Sequence, residues 1–257
     1  MDNFGTKTER IGEININNNG KYKMKIIEYI NEKNIIVQFQ DKYGAIVHTN
    51  YHAFIQGKVK NPFHPYVYNV GYIGEYSKKI NNKKDKQIYK YWASMLKRCY
   101  DKNFLKNHPT YQECSVCKEW HNFTNFRKWY IENSYNINER ITLDKDILIK
   151  GNKIYSPNTC LLVPVDINSL FIYLYDNKIQ IWKSKRNKQT YYIVKYEGKR
   201  YKFETKEQAL NFKIKTNSEK ILYYIEKYKT KIPNSICEIL YLKSKEIGGV
   251  EDDTEMD

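Results

Sequence analysis

The apolar residues of this chain come in short runs, separated by stretches of lysine, asparagine and glycine. No run approaches the ~20 apolar residues that a helix needs to span a bilayer. Runs this short do not build one continuous core either. Across 257 residues they point to several small modules, each closing over its own apolar face. The fold class expected is α+β, in more than one domain.

Three β-branched or aromatic runs, KMKIIEYI (23–30), NIIVQFQD (34–41) and GAIVHTNY, predict a small antiparallel sheet or barrel within 1–76. Polar turn sequence, including NINNNGK, precedes them, and Asn61-Pro62 and His64-Pro65 break the pattern. The lysine-rich stretch 77–88 reads as a linker. In the next module, 89–175, Tyr89, Trp92, Leu96 and Cys99 fall on one face of a helix over 86–101. Phe123, Phe126, Trp129 and Tyr130 do the same over 122–133. ITLDKDILI and KIYSP read as a hairpin turning at Gly151-Asn152, and LLVPVDINSLFIY turns into a short helix. The last module, 176–245, reads as three strands: KIQIWKS, TYYIVKY and KRYKFET. Thr205 and Gln208 then form a capping box on a helix that Asn217 and Ser218 interrupt. An acidic tail, 246–257, follows.

Bases outnumber acids by 44 to 29, for a net charge of +15, although Glu251, Asp252, Asp253, Glu255 and Asp257 crowd the acidic tail. Such a field attracts polyanions, and nucleic acid is the commonest of these. Codon preference in an AT-rich genome explains lysine over arginine, but not the excess of bases. The opening MDNFGTKTER has no apolar signal core, so a cytoplasmic protein is expected, with its five cysteines reduced or metal-bound. Cys114 and Cys117 form a CxxC, flanked in sequence by Cys99 and Cys160. Four thiolates could hold a structural zinc at ~2.3 Å each. Buried core thiols are the alternative, and Cys237 lies outside the group.

The C-terminal strands and their turns carry Lys183, Lys185, Arg186, Lys188, Lys195, Lys199, Arg200 and Lys202 among aromatics. A ribbon of this kind fits a major groove, with lysines on phosphates and the planar forks of Arg186 and Arg200 suited to guanine. Strand alternation sends Trp182, Tyr191, Ile193 and Lys195 to mixed faces. A solvated charged face is the alternative, and single-stranded RNA is another partner that lysines and aromatics suit.

Two regions resemble known proteins. YKYWASMLKRCYDKNFLKNHPTYQECSVCKEWHNFTNFRKWYIEN, running into LDKDILIKGNKIYSPNTCLLVPVDINSLF, covers roughly 89–171 and resembles phage- and intron-type HNH homing endonucleases. The first 75 residues, especially KVKNPFHPYVYNVGYIG, resemble the leader of that family. GKRYKFETKEQALNFKIKTNSEKILYYIEKYKTKIP resembles the APETALA-type (ethylene-response-factor) DNA-binding module, in which a three-stranded sheet enters the major groove and a helix braces it. The glycine-aromatic turn usual before that helix is absent here.

The resemblance implies a ββα finger that holds a magnesium ion for metal-assisted hydrolysis of duplex DNA. Asp144 and Asp146 would be its hard oxygen ligands, and Asn152, Asn158 or Asn168 would orient phosphate or base. A histidine general base is usual after the first Asp of the hairpin, and here Lys145 stands at that position. His108 and His121 are the nearby imidazoles that could replace it. Asp144 and Asp146 are otherwise part of a salt-bridged hairpin among lysines. Two readings stay open: a sequence-specific endonuclease, or a non-cleaving derivative that acts as a DNA-binding repressor or regulator. Either suits a monomer or a homodimer.

Overall fold

The computed structural model describes residues 9–75, 82–175 and 179–248. Helices and strands are mixed, as the α+β expectation has it. The chain divides into two compact units. One runs to Glu132 and includes Lys153–Asn158; the other holds Asn133–Asn152 and the chain from Thr159 onward.

The first unit opens on a four-stranded antiparallel meander: β1 (Ile14–Ile16), β2 (Lys23–Asn31), β3 (Asn34–Phe39) and β4 (Ile46–Thr49), in that order across the sheet. It is an open sheet with β1 and β4 at its edges. Alternation buries Met24 and Ile26 of β2 together with Ile35, Val37 and Phe39 of β3. Helix α1 (Tyr51–Ile55) covers them with Phe54. The NINNNGK stretch, expected to be turn throughout, contributes to β1. Its asparagines are satisfied at long range, Asn15 donating to the carbonyl of Phe54 (2.7 Å) and Asn17 to that of Val59 (3.2 Å).

The linker expectation over 77–88 needs correction. Residues 77–81 lie outside the described residues, but Asn82 caps helix α2 (Lys83–Tyr100) by accepting from the N–H of Asp85. An Asn N-cap with Asp in the first turn starts a helix despite the surrounding lysines. Asp85 is buried and pairs with Arg127 at 2.7 Å. After α3 (Lys102–Asn107) and the two-residue strand β5 (Ser115–Val116), Arg127 belongs to helix α4 (Phe123–Asn133). The predicted stripe on α2 is the buried one. Trp92 meets the ring of Phe123 at 5.4 Å and donates from Nε1 to the carbonyl of Trp120 at 2.7 Å.

The second unit corrects the hairpin. Strand β6 (Ile141–Asp144) does not pair with β7 (Ile154–Tyr155) across Gly151-Asn152. It pairs antiparallel with β8 (Leu161–Pro164), from Ile141 opposite Pro164 to Asp144 opposite Leu161. β7 belongs to the first unit, parallel to β5. The reason is where each strand buries its residues: Val163 lies in the core of the second unit, whereas the buried residue of β7, Tyr155, belongs to the first. Helix α5 (Val165–Tyr175) follows β8 directly, as expected from its apolar sequence.

The sheet order β11-β10-β9 is built from β9 (Gln180–Lys183), β10 (Thr190–Tyr196) and β11 (Lys199–Phe203), the three strands expected. Helix α6 (Lys206–Tyr228) starts on the predicted Thr205–Gln208 capping box. It does not break at Asn217 and Ser218. Asn217 is buried, and Ser218 Oγ donates to the carbonyl of Ser244 at 3.0 Å, on a helix the sequence pattern did not announce, α7 (Asn234–Gly248). Ser218 thus finds its partner across the helix pair rather than competing with its own backbone. Ile147, Val163, Ile167, Phe171, Ile221 and Leu240 lie in the core of this unit. Of the tail, residues 246–248 finish α7, and 249–257 lie outside the described residues. Among the described residues no helix is long and apolar enough to cross a membrane.

Candidate functional site

The C-terminal sheet has two unlike faces, and its register sorts the basic residues between them. Residues opposite one another across an antiparallel pair share a face. Tyr192 pairs with Phe203, Val194 with Tyr201 and Tyr196 with Lys199. This is the α6 side, where the rings of Tyr201 and Phe203 lie 4.5 and 5.2 Å from Phe212. The other face carries Lys195 opposite Arg200, Ile193 opposite Lys202 and Tyr191 opposite Trp182. Lys195, Arg200 and Lys202 are exposed there. Lys183 and Lys199 go to the α6 side, and Lys185, Arg186 and Lys188 sit in the exposed β9–β10 turn.

Two features of the open face bear on a ligand. Lys195 and Arg200 are like charges directly opposite, an arrangement that costs the isolated sheet stability. None of the eight predicted cations forms an ion pair among the described residues. Lys202 is the most fixed of the three. Its Nζ lies 3.4 Å from the ring centroid of Tyr191 and 5.0 Å from that of Trp182. The Tyr191 hydroxyl in turn donates to Gln189 Oε1 at 2.8 Å and accepts from Asn187 Nδ2 at 3.0 Å. Strand alternation alone left Trp182 and Tyr191 on mixed faces, and so did not reveal this aromatic shelf, which sets where one cation stands.

The second candidate is the loop that leaves β6. Asp144 Oδ1 accepts from the N–H groups of Asp146 (2.8 Å) and Ile147 (2.7 Å). Ile147 is fully buried and anchors the loop in the core. Lys145 is 8% exposed, and its Nζ donates to Asp146 Oδ1 and Oδ2 (2.8 and 2.9 Å) and to the Asn152 carbonyl (2.6 Å). Asn152 Nδ2 closes the ring by donating to the Lys145 carbonyl at 2.9 Å. Gly151, at φ +74°, makes the turn that brings Asn152 back.

No family model, no curated protein and no solved structure matches the chain.

The residues of the β6 loop do not fit a divalent cation. Both oxygens of Asp146 face an ammonium, and Asp144 Oδ1 is committed to two backbone donors. A metal ligated by Asp146 would stand beside the positive Lys145 Nζ and be repelled by it. Lys145, weighed in the sequence as a replacement for the catalytic histidine, spends its donors on Asp146 and Asn152 instead. Asn152 itself is a loop-closing residue.

His121 and His108 are both engaged where they stand. His121 Nε2 meets the Val116 carbonyl at 3.0 Å and the Tyr100 hydroxyl at 3.4 Å, and burial pushes its pKa below the usual imidazole value. His108 stacks on Phe104 at 3.9 Å, with Nδ1 against the Phe104 carbonyl at 2.9 Å. Asn168 lies within α5, and Asn158 in the segment that follows β7. All five cysteines are free of disulfides. Cys99, Cys114 and Cys160 are buried, and burial raises the Cys117 thiol above its ordinary value, which favours thiol over thiolate. Among the described residues no group of three or more His, Cys, Asp or Glu side chains comes together.

Asp144 gives a pH signature. Burial raises its pKa above 3.8, more than the Ile147 and Asp146 N–H bonds lower it. The folded chain therefore binds this proton more tightly than the unfolded chain. Its contribution to stability falls as pH rises through the interval above 3.8. Asp144→Asn keeps an oxygen acceptor and removes the charge. Its stability relative to the parent chain should rise as pH is raised through that interval, because the variant has no buried carboxylate to ionise. Urea unfolding at a series of pH values measures the gap, and a pH-independent gap would contradict the burial account.

Proposed function

We propose that this chain is a sequence-specific duplex-DNA-binding protein that lays the open face of the β9–β11 sheet in the major groove and works without cutting. The observation that carries it is the juxtaposition of Lys195, Arg200 and Lys202 on one exposed face, with two of them directly opposed and no carboxylate paired to any of them among the described residues. A phosphate backbone supplies the countercharge that the sheet lacks. Arg200 has the planar fork for a guanine edge, and Lys202 is held over Tyr191 at the same face. The net charge of +15 supports the same partner.

The pairing of β6 with β8, followed by α5, gives two strands and a helix as in the ββα finger that the resemblance implies, although β7 lies between them in the chain, and supports a link to the HNH endonucleases. That order favours a second reading, metal-dependent hydrolysis of DNA with magnesium. The position of the Lys145 ammonium favours the first, a repressor or regulator.

Fluorescence anisotropy on labelled duplexes tests binding: affinity should drop steeply between about 50 and 200 mM salt. A flat response, or no binding to duplex DNA in dilute buffer, would remove the proposal. Incubating the protein with supercoiled plasmid carrying its own gene's flanking sequence, in magnesium or manganese, decides between the readings. Intact plasmid is expected, and nicked or linear product would establish the second reading.

A further inference from the structure

We infer that the Lys145 ammonium is a built-in cation standing where the loop would otherwise seat a divalent metal, so that Asp144–Asn152 holds its shape without metal and becomes a metal site only when that ammonium is removed. The inference rests on the non-cleaving reading and deepens it.

Lys145 Nζ has three oxygen atoms at 2.6–2.9 Å, two from the Asp146 carboxylate and one from the Asn152 carbonyl. These are hard oxygen donors, the type that magnesium, manganese and calcium take. The seat is prebuilt. Asp144 pins the N–H groups of residues 146 and 147, Ile147 plugs the core, and Asn152 is tied back to Lys145 by its side-chain amide. Such a closed place suits an ammonium only where a carboxylate and a carbonyl oxygen surround it, as they do here. One chain-borne charge thus does the work that a bound ion does elsewhere, and it cannot be chelated away.

Three chains separate this from a conventional metal loop: the parent, Lys145→Ala, and Lys145→Met, which fills the same space without charge. Each is titrated with manganese chloride by calorimetry and melted in EDTA and in manganese. The parent should show no manganese heat and one melting temperature in both buffers. Lys145→Ala should melt lower in EDTA and regain about 5 °C in manganese, because the emptied seat binds the ion. Adding Asp146→Asn to it should abolish that gain. Lys145→Met should melt lower in both buffers and gain nothing. Manganese binding by the parent that Asp146→Asn removes would overturn the inference. So would a Lys145→Ala chain that melts alike in both buffers, or that folds in neither while Lys145→Ser folds and ignores manganese. None of these readouts involves DNA, so a failure to bind duplex sinks the proposed function and leaves this result readable on its own.

Discussion

Replacing Lys195, Arg200 and Lys202 together by Ala should cost roughly 100-fold or more in duplex affinity at low salt. It should also flatten the log–log salt dependence by about two units, one for each phosphate that loses its lysine. Arg200 carries the largest share, because a forked hydrogen-bond pair to a guanine edge is worth about 1–3 kcal/mol, and its removal should also relax sequence preference. The control is Lys183→Ala with Lys199→Ala, which removes charge from the α6 side of the same sheet. It lowers the general field and should shift affinity much less. Anisotropy titrations at several salt concentrations read both effects. Equal losses in the two sets would show that net charge, and not the open face, binds DNA. The triple variant should fold much as the parent does, since relief of the opposition of Lys195 and Arg200 offsets the loss of Lys202 over the Tyr191 ring.

Trp92→Ala should destabilise the first unit by about 3–5 kcal/mol, a large share of the 5–15 kcal/mol typical of a whole domain. Trp92 is fully buried, contacts Tyr89 and Phe123, and donates to the Trp120 carbonyl. Truncation opens a cavity and strips that buried carbonyl of its donor. The surroundings are closely packed around it: a Cβ placed on Gly71 would come within 2.8 Å of the Trp92 ring. Trp92→Phe keeps most of the ring packing and should lose only part as much. Urea unfolding followed by circular dichroism measures both. A loss under ~1 kcal/mol for the alanine variant would mean that the ring is not where this unit is held together.

What was legible in the sequence was local. The stripe of Trp92, Leu96 and Cys99 announced α2 because helical period survives any tertiary context, and Thr205 with Gln208 announced the start of α6. The open face was also within reach. Glu197 and Gly198 both have positive φ (+49° and +75°), as a two-residue hairpin turn demands. Taking them as that turn sets Tyr196 opposite Lys199, and Lys195 opposite Arg200 is the next pair along. What was not legible was decided at a distance. β6 pairs with β8 rather than β7 because Val163 closes the core of the second unit while Tyr155 of β7 is buried in the first. Asn217 and Ser218 stay helical because α7 lies beside them. LDKDIL read as two metal ligands flanking a lysine, since the spacing shows the carboxylates but not the return of Asn152 to the ammonium. The lysine-rich start of α2 hid a helix cap inside what looked like a linker.

The placement of β7 has a practical consequence. Six residues, Lys153–Asn158, leave the second unit, lie with the first as partner to Ser115 and Val116, and return. The molecule therefore cannot be halved at one scissile point. A fragment stopped at Glu132 loses the strand that covers β5, and a fragment begun at Asn133 carries that strand with nothing to lie against. To obtain the first unit alone, Lys153–Asn158 has to be joined to a chain that stops at Glu132, and the second unit has to be closed where that segment leaves it.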